Sequence, residues 1–279
     1  MDLTIRFLGT SAARPIPRWG CTCPQCAAAR SDPRARRTRS AILINGSLLV
    51  DAGPDVYDQL RHLPYEDLGQ IDHVLITHPH ADHFLGLDDL APLRRISRLD
   101  TLPIYALPDA WDQIWAVFRY LIAAEVSEYD QRPFARRELA LGRPLHLTGG
   151  LSVTPLDTRH TQPFTTIGLL IEQGDRRVIY ASDFYELPVE RVAGADLMIL
   201  DGSFLARERM DARYQPHLEE GQGRHRPMLE SVEWAAAMGA ERVLFTHFGH
   251  TGLAPEQLRA LLPTGCDLAY DGQVVTLDV

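Results

Sequence analysis

Thr77-His78-Pro79-His80-Ala81-Asp82-His83 sets four potential metal ligands within six residues, directly behind the apolar run Val74-Leu75-Ile76. In extended backbone, alternate side chains share a face, so His78 and His80 can aim both imidazoles at one point. Asp82 and His83 are adjacent and cannot share a face in that way. They suit a helix that begins near Asp82 and presents both ligands to a second point, a few ångströms from the first. Such spacing fits two neighbouring cations better than one, and a nitrogen and oxygen ligand set suits zinc, manganese or iron. Two divalent ions about 3.5–4 Å apart generate a nucleophile from water near neutral pH and clamp phosphoryl oxygens, so metal-assisted hydrolysis is the chemistry to expect.

A second cluster, Cys21-Thr22-Cys23-Pro24-Gln25-Cys26, lies in a long loop-like stretch from Ser11 to about Arg39. A loop that long inside a compact domain needs a source of order. Thiolates on zinc provide one. The spacing is too tight for three structural disulfide partners, and thiolate is too soft for magnesium or calcium. Spacing alone shows no fourth ligand. The basic tract that follows (Arg30, Arg34, Arg36, Arg37, Arg39) reads as solvated surface. Cys266, in a strand-like segment, reads as a lone buried cysteine.

Each ligand needs an element to hold it. Leu3 to Leu8 alternates like a strand that Gly9-Thr10 ends. Ala41–Ile44 and Ser47–Val50 form a hairpin across Asn45-Gly46, which supplies the positive φ angles of a two-residue turn. Asp51 closes that hairpin ahead of a helix through about His62, and is placed to hydrogen-bond the ligand loop, since ligating histidines need an outer partner. Behind the motif, Gly86–Leu90 continues a helix and Leu102–Ala106 is a short strand. Trp111, Ile114, Trp115 and Phe118 recur at helical spacing, which predicts core or a homodimer surface rather than a ligand platform. Glu125–Arg143 matches no template. Leu151–Leu156 is a strand leading to His160. Ile167–Ile171 and Arg177–Tyr180 form a second hairpin that runs into Asp183. Ala195–Asp201 is a buried strand ending in an acid, and a polar insertion spans Arg207–His225. A helix follows over Pro227–Met238, then a strand over Arg242–Thr246 that delivers His247, with His250 three residues on. Val274–Leu277 is an edge strand. Strand, ligand, loop therefore recurs at His160, Asp183 and His247, as a metal site on a sheet edge requires.

The 279 residues, 45% of them apolar, suffice for one large core, and no linker-like stretch divides them, so a single domain over 1–279 is expected. A net charge of −9 argues against gripping long nucleic acid. No run approaches the ~20 apolar residues of a membrane span. Met1-Asp2-Leu3 enters a strand with no leader pattern, and four cysteines make no disulfide framework, so the expected location is the reducing cytoplasm.

His-x-His-x-Asp-His behind a strand resembles the signature of the metallo-β-lactamase fold hydrolases. The resemblance implies an α/β fold, the αββα sandwich, with the metal centre along the sheet edges. It also implies a ligand scheme: His78, His80 and His160 on one ion, Asp82, His83 and His247 on the other, and Asp183 bridging both. A narrower resemblance, to the PhnP phosphodiesterases of the carbon–phosphorus lyase pathway, covers most of the chain. It rests on Phe7-Leu8-Gly9-Thr10, on Trp19-Gly20-Cys21-x-Cys23-x-x-Cys26 and on Thr246-His247-x-x-His250. This family implies two divalent active-site ions (Mn or Zn) and one structural Zn held by Cys21, Cys23, Cys26 and His250. It implies a small cyclic or nucleotide-like phosphodiester substrate, ribosyl 1,2-cyclic phosphate among them. It also implies a histidine that protonates the leaving group, as imidazole does near neutral pH. His225 sits closest to that position, with His217 as a competitor, and His225 and Asp82 are the expected catalytic residues. Phe184, after the bridging acid, departs from the small polar residue common there. Two relatives of the same fold compete. A tRNA 3′-end nuclease would need a basic arm, which the acidic total disfavours. A non-catalytic coenzyme-biosynthesis protein would keep the Cys-rich loop and lose active-site ligands, whereas all seven are filled here.

Overall fold

The computed structural model describes residues 2–123, 132–161, 163–207 and 225–279. His217, most of the polar insertion and residues 125–131 of the unplaced stretch lie outside these. The described residues form fourteen strands: β1 Leu3–Gly9, β2 Ala41–Ile44, β3 Leu48–Val50, β4 His73–Leu75, β5 Leu102–Ala106, β6 Phe134–Glu138, β7 Leu145–His146, β8 Ser152–Asp157, β9 Ile167–Gln173, β10 Arg176–Ala181, β11 Leu197–Asp201, β12 Val243–Thr246, β13 Cys266–Leu268 and β14 Val274–Leu277. They make two seven-stranded sheets, ordered β14-β1-β2-β3-β4-β5-β6 and β13-β12-β11-β10-β9-β8-β7. In the first sheet β3 to β6 run parallel, and in the second β10 to β13 do.

Strands buried on both faces explain the unbroken apolar runs in the sequence. In β2, Ile42 and Ile44 join Leu169, Ile171, Val178 and Leu197 of the opposite sheet in one cluster, so the sheets pack face to face. Ala41 and Leu43 point outward, into a cluster with Trp111, Ile114 and Phe118 of the helix Pro108–Ile122. In β11, Leu197 and Ile199 face the other sheet, while Met198 and Leu200 meet Met228 and Ala235 of the helix Met228–Ala237. Helices thus cover both outer faces, which is the expected αββα sandwich. The aromatic stripe of Pro108–Ile122 is core: Trp111 is fully buried and Trp115 packs against the same cluster.

The hairpin turn has Asn45 at φ 51° and Gly46 at φ 70°, as its sequence demands. Four expectations need correction. Ser11–Arg39 is not all loop: Pro24–Ser31 is a helix with Pro24 at its first turn and Cys23 at its N-cap. Arg37 is buried rather than solvated. It lies 4.0 Å over the Phe248 ring and donates to Thr10 Oγ1 at 2.8 Å, beside the half-buried Asp271 carboxyl. Part of the unplaced Glu125–Arg143 stretch is the edge strand β6, with Arg136, Arg137 and Glu138 exposed. Cys266 begins β13 but is only half buried. Among the described residues, no helix is long and apolar enough to cross a membrane.

Candidate metal centre

The parallel strands deliver their following loops to one edge of the sandwich, where open α/β sheets place their sites. β3 leads to Asp51, β4 to His78–His83, β10 to Asp183, β11 to Asp201 and β12 to His247. The helix Ala81–Phe84 starts next to Asp82, as its position in the motif predicts. The backbone there is packed too closely for any side chain on Gly53, whose Cβ would stand 2.0 Å from the Asp82 carbonyl oxygen. Asp51 and His247 both have positive φ, 65° and 53°. Such backbone costs about 1–2 kcal/mol per non-glycine residue, and it persists where surrounding contacts demand it.

Four atoms form a box at this edge. His83 Nε2 lies 3.3 Å from Asp82 Oδ2 and 3.2 Å from Asp183 Oδ2, and His247 Nε2 lies 3.5 and 3.3 Å from the same oxygens. Ligand atoms ~2.0–2.1 Å from a tetrahedral ion stand ~3.3–3.4 Å apart, so the box has the dimensions of a coordination shell. His83 Nε2, His247 Nε2 and Asp183 Oδ2 are also buried with no hydrogen-bond partner. Buried polar atoms left in that way demand an explanation, and a cation satisfies all three. Beside the box, His78 Nε2 and His80 Nδ1 approach to 2.8 Å, and with His160 they form a second set that could hold an ion. Asp183 Oδ1 faces that set, 3.7 Å from His160 Nε2, while Oδ2 faces the box. One carboxylate therefore addresses both positions.

Outer partners aim the ligands. Asp51 accepts from His83 Nδ1 at 2.7 Å and from the Thr77 amide at 2.8 Å, which turns His83 Nε2 into the box. Ser203 Oγ lies 3.0 Å from His247 Nδ1 and does the same for that ring. Electrostatics reflect the crowding of carboxylates. Burial opposes a charge on His83, yet Asp82, Asp51 and Asp183 hold its pKa well above the ordinary range. His247 is pushed up to about 10, against burial, by Asp183, Asp201 and Asp82. Asp183, despite burial, is held well below the usual carboxylate range by His247 and His83. His78 moves the other way, lowered by burial and by the charge on His83. The box requires positive charge, which protons on His83 and His247 provide and a divalent ion would replace.

His225 stands at the mouth. Its side chain is 19% exposed, against 3% for Asp183, and its Nδ1 meets Asp201 Oδ2 at 2.5 Å. Sequence reasoning missed this role of Asp201. The acid at the end of β11 was visible, but nothing local paired it with a residue 24 positions on. Asp201 is fully buried, and burial raises its pKa less than His225 and His247 lower it. Phe184 is fully buried and packs on Trp234, so its departure from a polar residue is a matter of core packing.

The cysteine loop closes on the expected fourth partner. His250 Nε2 lies 3.4, 3.3 and 3.4 Å from the sulfurs of Cys21, Cys23 and Cys26. Tetrahedral zinc with three thiolates and one imidazole sets those edges at ~3.5–3.6 Å, so these residues fit zinc. Arg30 ties the loop together by donating to the Cys21 and Arg18 carbonyls.

Residues 47–248 match the model of the beta-lactamase superfamily domain. The chain belongs to the β-lactamase superfamily. It is 28% identical to coenzyme PQQ synthesis protein B of Methylobacterium nodulans, over 97% of this chain and 99% of the relative. Among solved structures, it resembles a diphosphatase from the PhnP family, with 27% identity, a TM-score of 0.79 and coverage of 99% and 98% of the two chains. It also resembles the Zn(2+)-bound PqqB of Methylobacterium extorquens, with 26% identity, a TM-score of 0.74 and coverage of 99% and 100%. The superfamily match spans the His-x-His-x-Asp-His motif, Asp183 and His247. It excludes the cysteine loop and His250, where the narrower resemblance lies.

Proposed function

We propose that this chain is a metal-dependent phosphodiesterase acting on a small phosphodiester. In this reading His78, His80 and His160 hold one divalent ion, Asp82, His83 and His247 a second, and Asp183 bridges. Cys21, Cys23, Cys26 and His250 hold a structural zinc. The observation that carries the reading is the box of four atoms at coordination spacing, three of them orphaned, with an imidazole at its mouth. When bound, two such ions supply a nucleophile derived from water and neutralise phosphoryl charge. The chain's own residues do the rest. Asp201 accepts from His225 Nδ1, which leaves Nε2 for the leaving group. As the oxygen of water bonds to phosphorus, the opposite P–O bond breaks and the departing oxygen takes a proton from His225. The products are a phosphomonoester and an alcohol, and the proton released by water passes to solvent, which reprotonates the imidazole.

The same reading takes residues 1–279 as one domain in the cytoplasm, where thiols remain available as ligands, and the acidic total favours a small substrate over long nucleic acid. Rates on bis-p-nitrophenyl phosphate, p-nitrophenyl phosphate and a β-lactam test it. The diester should be hydrolysed fastest by protein loaded with manganese or zinc, and a faster monoester or lactam would overturn the proposal. Near-full-length similarity to a coenzyme PQQ synthesis protein favours a second reading, a role in coenzyme synthesis. Metal content separates the two: a binding-only relative holds about one zinc per chain, a catalytic one about three ions.

A further inference from the structure

We propose that Phe164 and Phe204 bracket the substrate, and that the substrate is a phosphodiester whose retained ester group bears a planar unsaturated ring, seated on Phe164. The inference rests on the phosphodiesterase reading of the metal centre. Aromatic rings line the mouth in an unbroken arc. Phe164 stands edge-on to His80 at 5.2 Å and His80 edge-on to His160 at 5.4 Å. His160 meets His225 at 4.5 Å, and His225 meets Phe204 at 5.6 Å. The three imidazoles of the arc serve the metal centre or the proton transfer. The two phenyl rings have no ligand atom and do neither.

Both phenyl rings are partly exposed, whereas Phe84, Phe184 and Phe248 nearby are buried. Each is also held in place through its backbone. The Thr165 amide donates to Asp109 Oδ2 at 2.6 Å, at the start of the helix Pro108–Ile122. The Met228 amide donates to the Phe204 carbonyl at 2.8 Å. A partly exposed phenyl group on an anchored backbone offers a fixed apolar face at the mouth, of the kind that ligand sites use for recognition.

The direction of the reaction assigns the two phenyl rings. In an in-line displacement, the leaving oxygen lies opposite the attacking one. His225 protonates it, so the leaving group extends beyond His225 against Phe204. The retained ester lies to the side of that axis, towards His78 and His80, where Phe164 waits. A planar ring there can pack face to edge or offset on the phenyl group, a contact that a methyl group cannot make.

The test holds the leaving group constant. Metal-loaded protein is assayed with p-nitrophenyl phenyl phosphate against methyl p-nitrophenyl phosphate. Wild type should favour the phenyl ester about tenfold in kcat/KM, the scale of one ring stacked on an aromatic side chain. Phe164→Ala should erase that preference and Phe164→Tyr should keep it. Phe204→Ala should slow both esters alike, because both share the p-nitrophenyl leaving group. Calorimetry with phenyl phosphate and methyl phosphate gives a readout independent of turnover, with the phenyl product bound about tenfold tighter. Diester turnover with no phenyl preference, or a preference that survives Phe164→Ala, overturns the subsite and leaves the diesterase reading standing. If neither ester turns over but phenyl phosphate still binds tighter in a Phe164-dependent way, the ring subsite stands and the diesterase reading falls.

Discussion

At the scale of single residues, the two ring nitrogens of His225 have separate roles in the proposed reaction. Asp201 meets Nδ1 at 2.5 Å, which leaves Nε2 as the donor in the proposed reaction. An alkoxide is a poor leaving group unless a proton arrives as the bond breaks. His225→Ala should therefore retain every metal and cut turnover of alkyl diesters by ~10²–10⁴. It should matter much less for p-nitrophenyl esters, whose leaving group departs as a stable anion. Equal losses on both substrate types would remove the proton-donor role. Asp201→Asn keeps the shape and loses the charge, so it should cost about 10–100-fold with the same dependence on leaving group. Asp183 is different in kind, because its two oxygens face two ligand sets. Asp183→Ala should abolish activity and lose both active-site ions by mass spectrometry, whereas Asp82→Ala should chiefly deplete the box. Retention of both ions in Asp183→Ala would sink the bridging assignment.

At the scale of elements, the short segment after β12 does two jobs. His247 enters the box, and three residues later His250 reaches the cysteine loop. The segment is tied down between them: the Phe248 amide donates to the Thr10 carbonyl at 2.8 Å, and Gln25 Nε2 donates to the Gly249 carbonyl at 3.1 Å. The helix Pro24–Ser31 brings Cys23 and Cys26 to the same point as Cys21. A structural site of four ligands has no open position, so it stabilises without taking part in chemistry. Cys23→Ser should lose one zinc per chain and keep the two active-site ions. Its melting temperature should fall by roughly 5–10 °C, on a scale of about 2–4 °C per kcal/mol for a chain of this size. An unchanged metal count would contradict the assignment.

At the scale of the whole molecule, the two sheets create a buried concentration of carboxylates that is answered by protons when metal is removed. His247, raised to about 10, carries a proton at pH 7.5 and must release it to bind an ion. Metal titrations in buffers of different ionisation enthalpy should therefore show proton release, with affinity falling as pH falls. No dependence on buffer would contradict the electrostatic account. The stability of metal-free protein follows with a definite sign. A histidine whose folded pKa is raised stabilises fully below its unfolded value of ~6.5 and loses that contribution towards about 10. Asp183, held low in the fold, contributes above ~3.8 and loses its contribution on acidification. The midpoint of urea unfolding of chelated protein should thus decline between pH 6.5 and 10, more steeply than that of metal-loaded protein. Parallel pH profiles for the two forms would count against it.

What the sequence determined by itself is what lies within one element or one turn. Alternation in extended backbone set His78 beside His80, and a helix start next to Asp82 separated the second pair from the first. Asn45-Gly46 specified its hairpin, and the repeated order of strand then ligand marked His160, Asp183 and His247, because side-chain period and turn chemistry act over a few residues. The outcome of packing was decided only by the tertiary structure. β11 ends in an acid much as β10 leads into one, and local pattern does not say which acid lies between the ion positions. The parallel register of β10 on β11 puts Asp183 between the two ligand sets and Asp201 behind His225 and His247. Arg37 belongs to a tract that looks solvated, yet the packing of β1, the segment after β12 and the loop before β14 encloses it with Thr10 and Phe248. Phe164 and Phe204 carry no motif at all. Their meaning comes from flanking imidazoles up to 145 residues apart in the chain, His80 and His225 among them, brought together because two sheets share one edge.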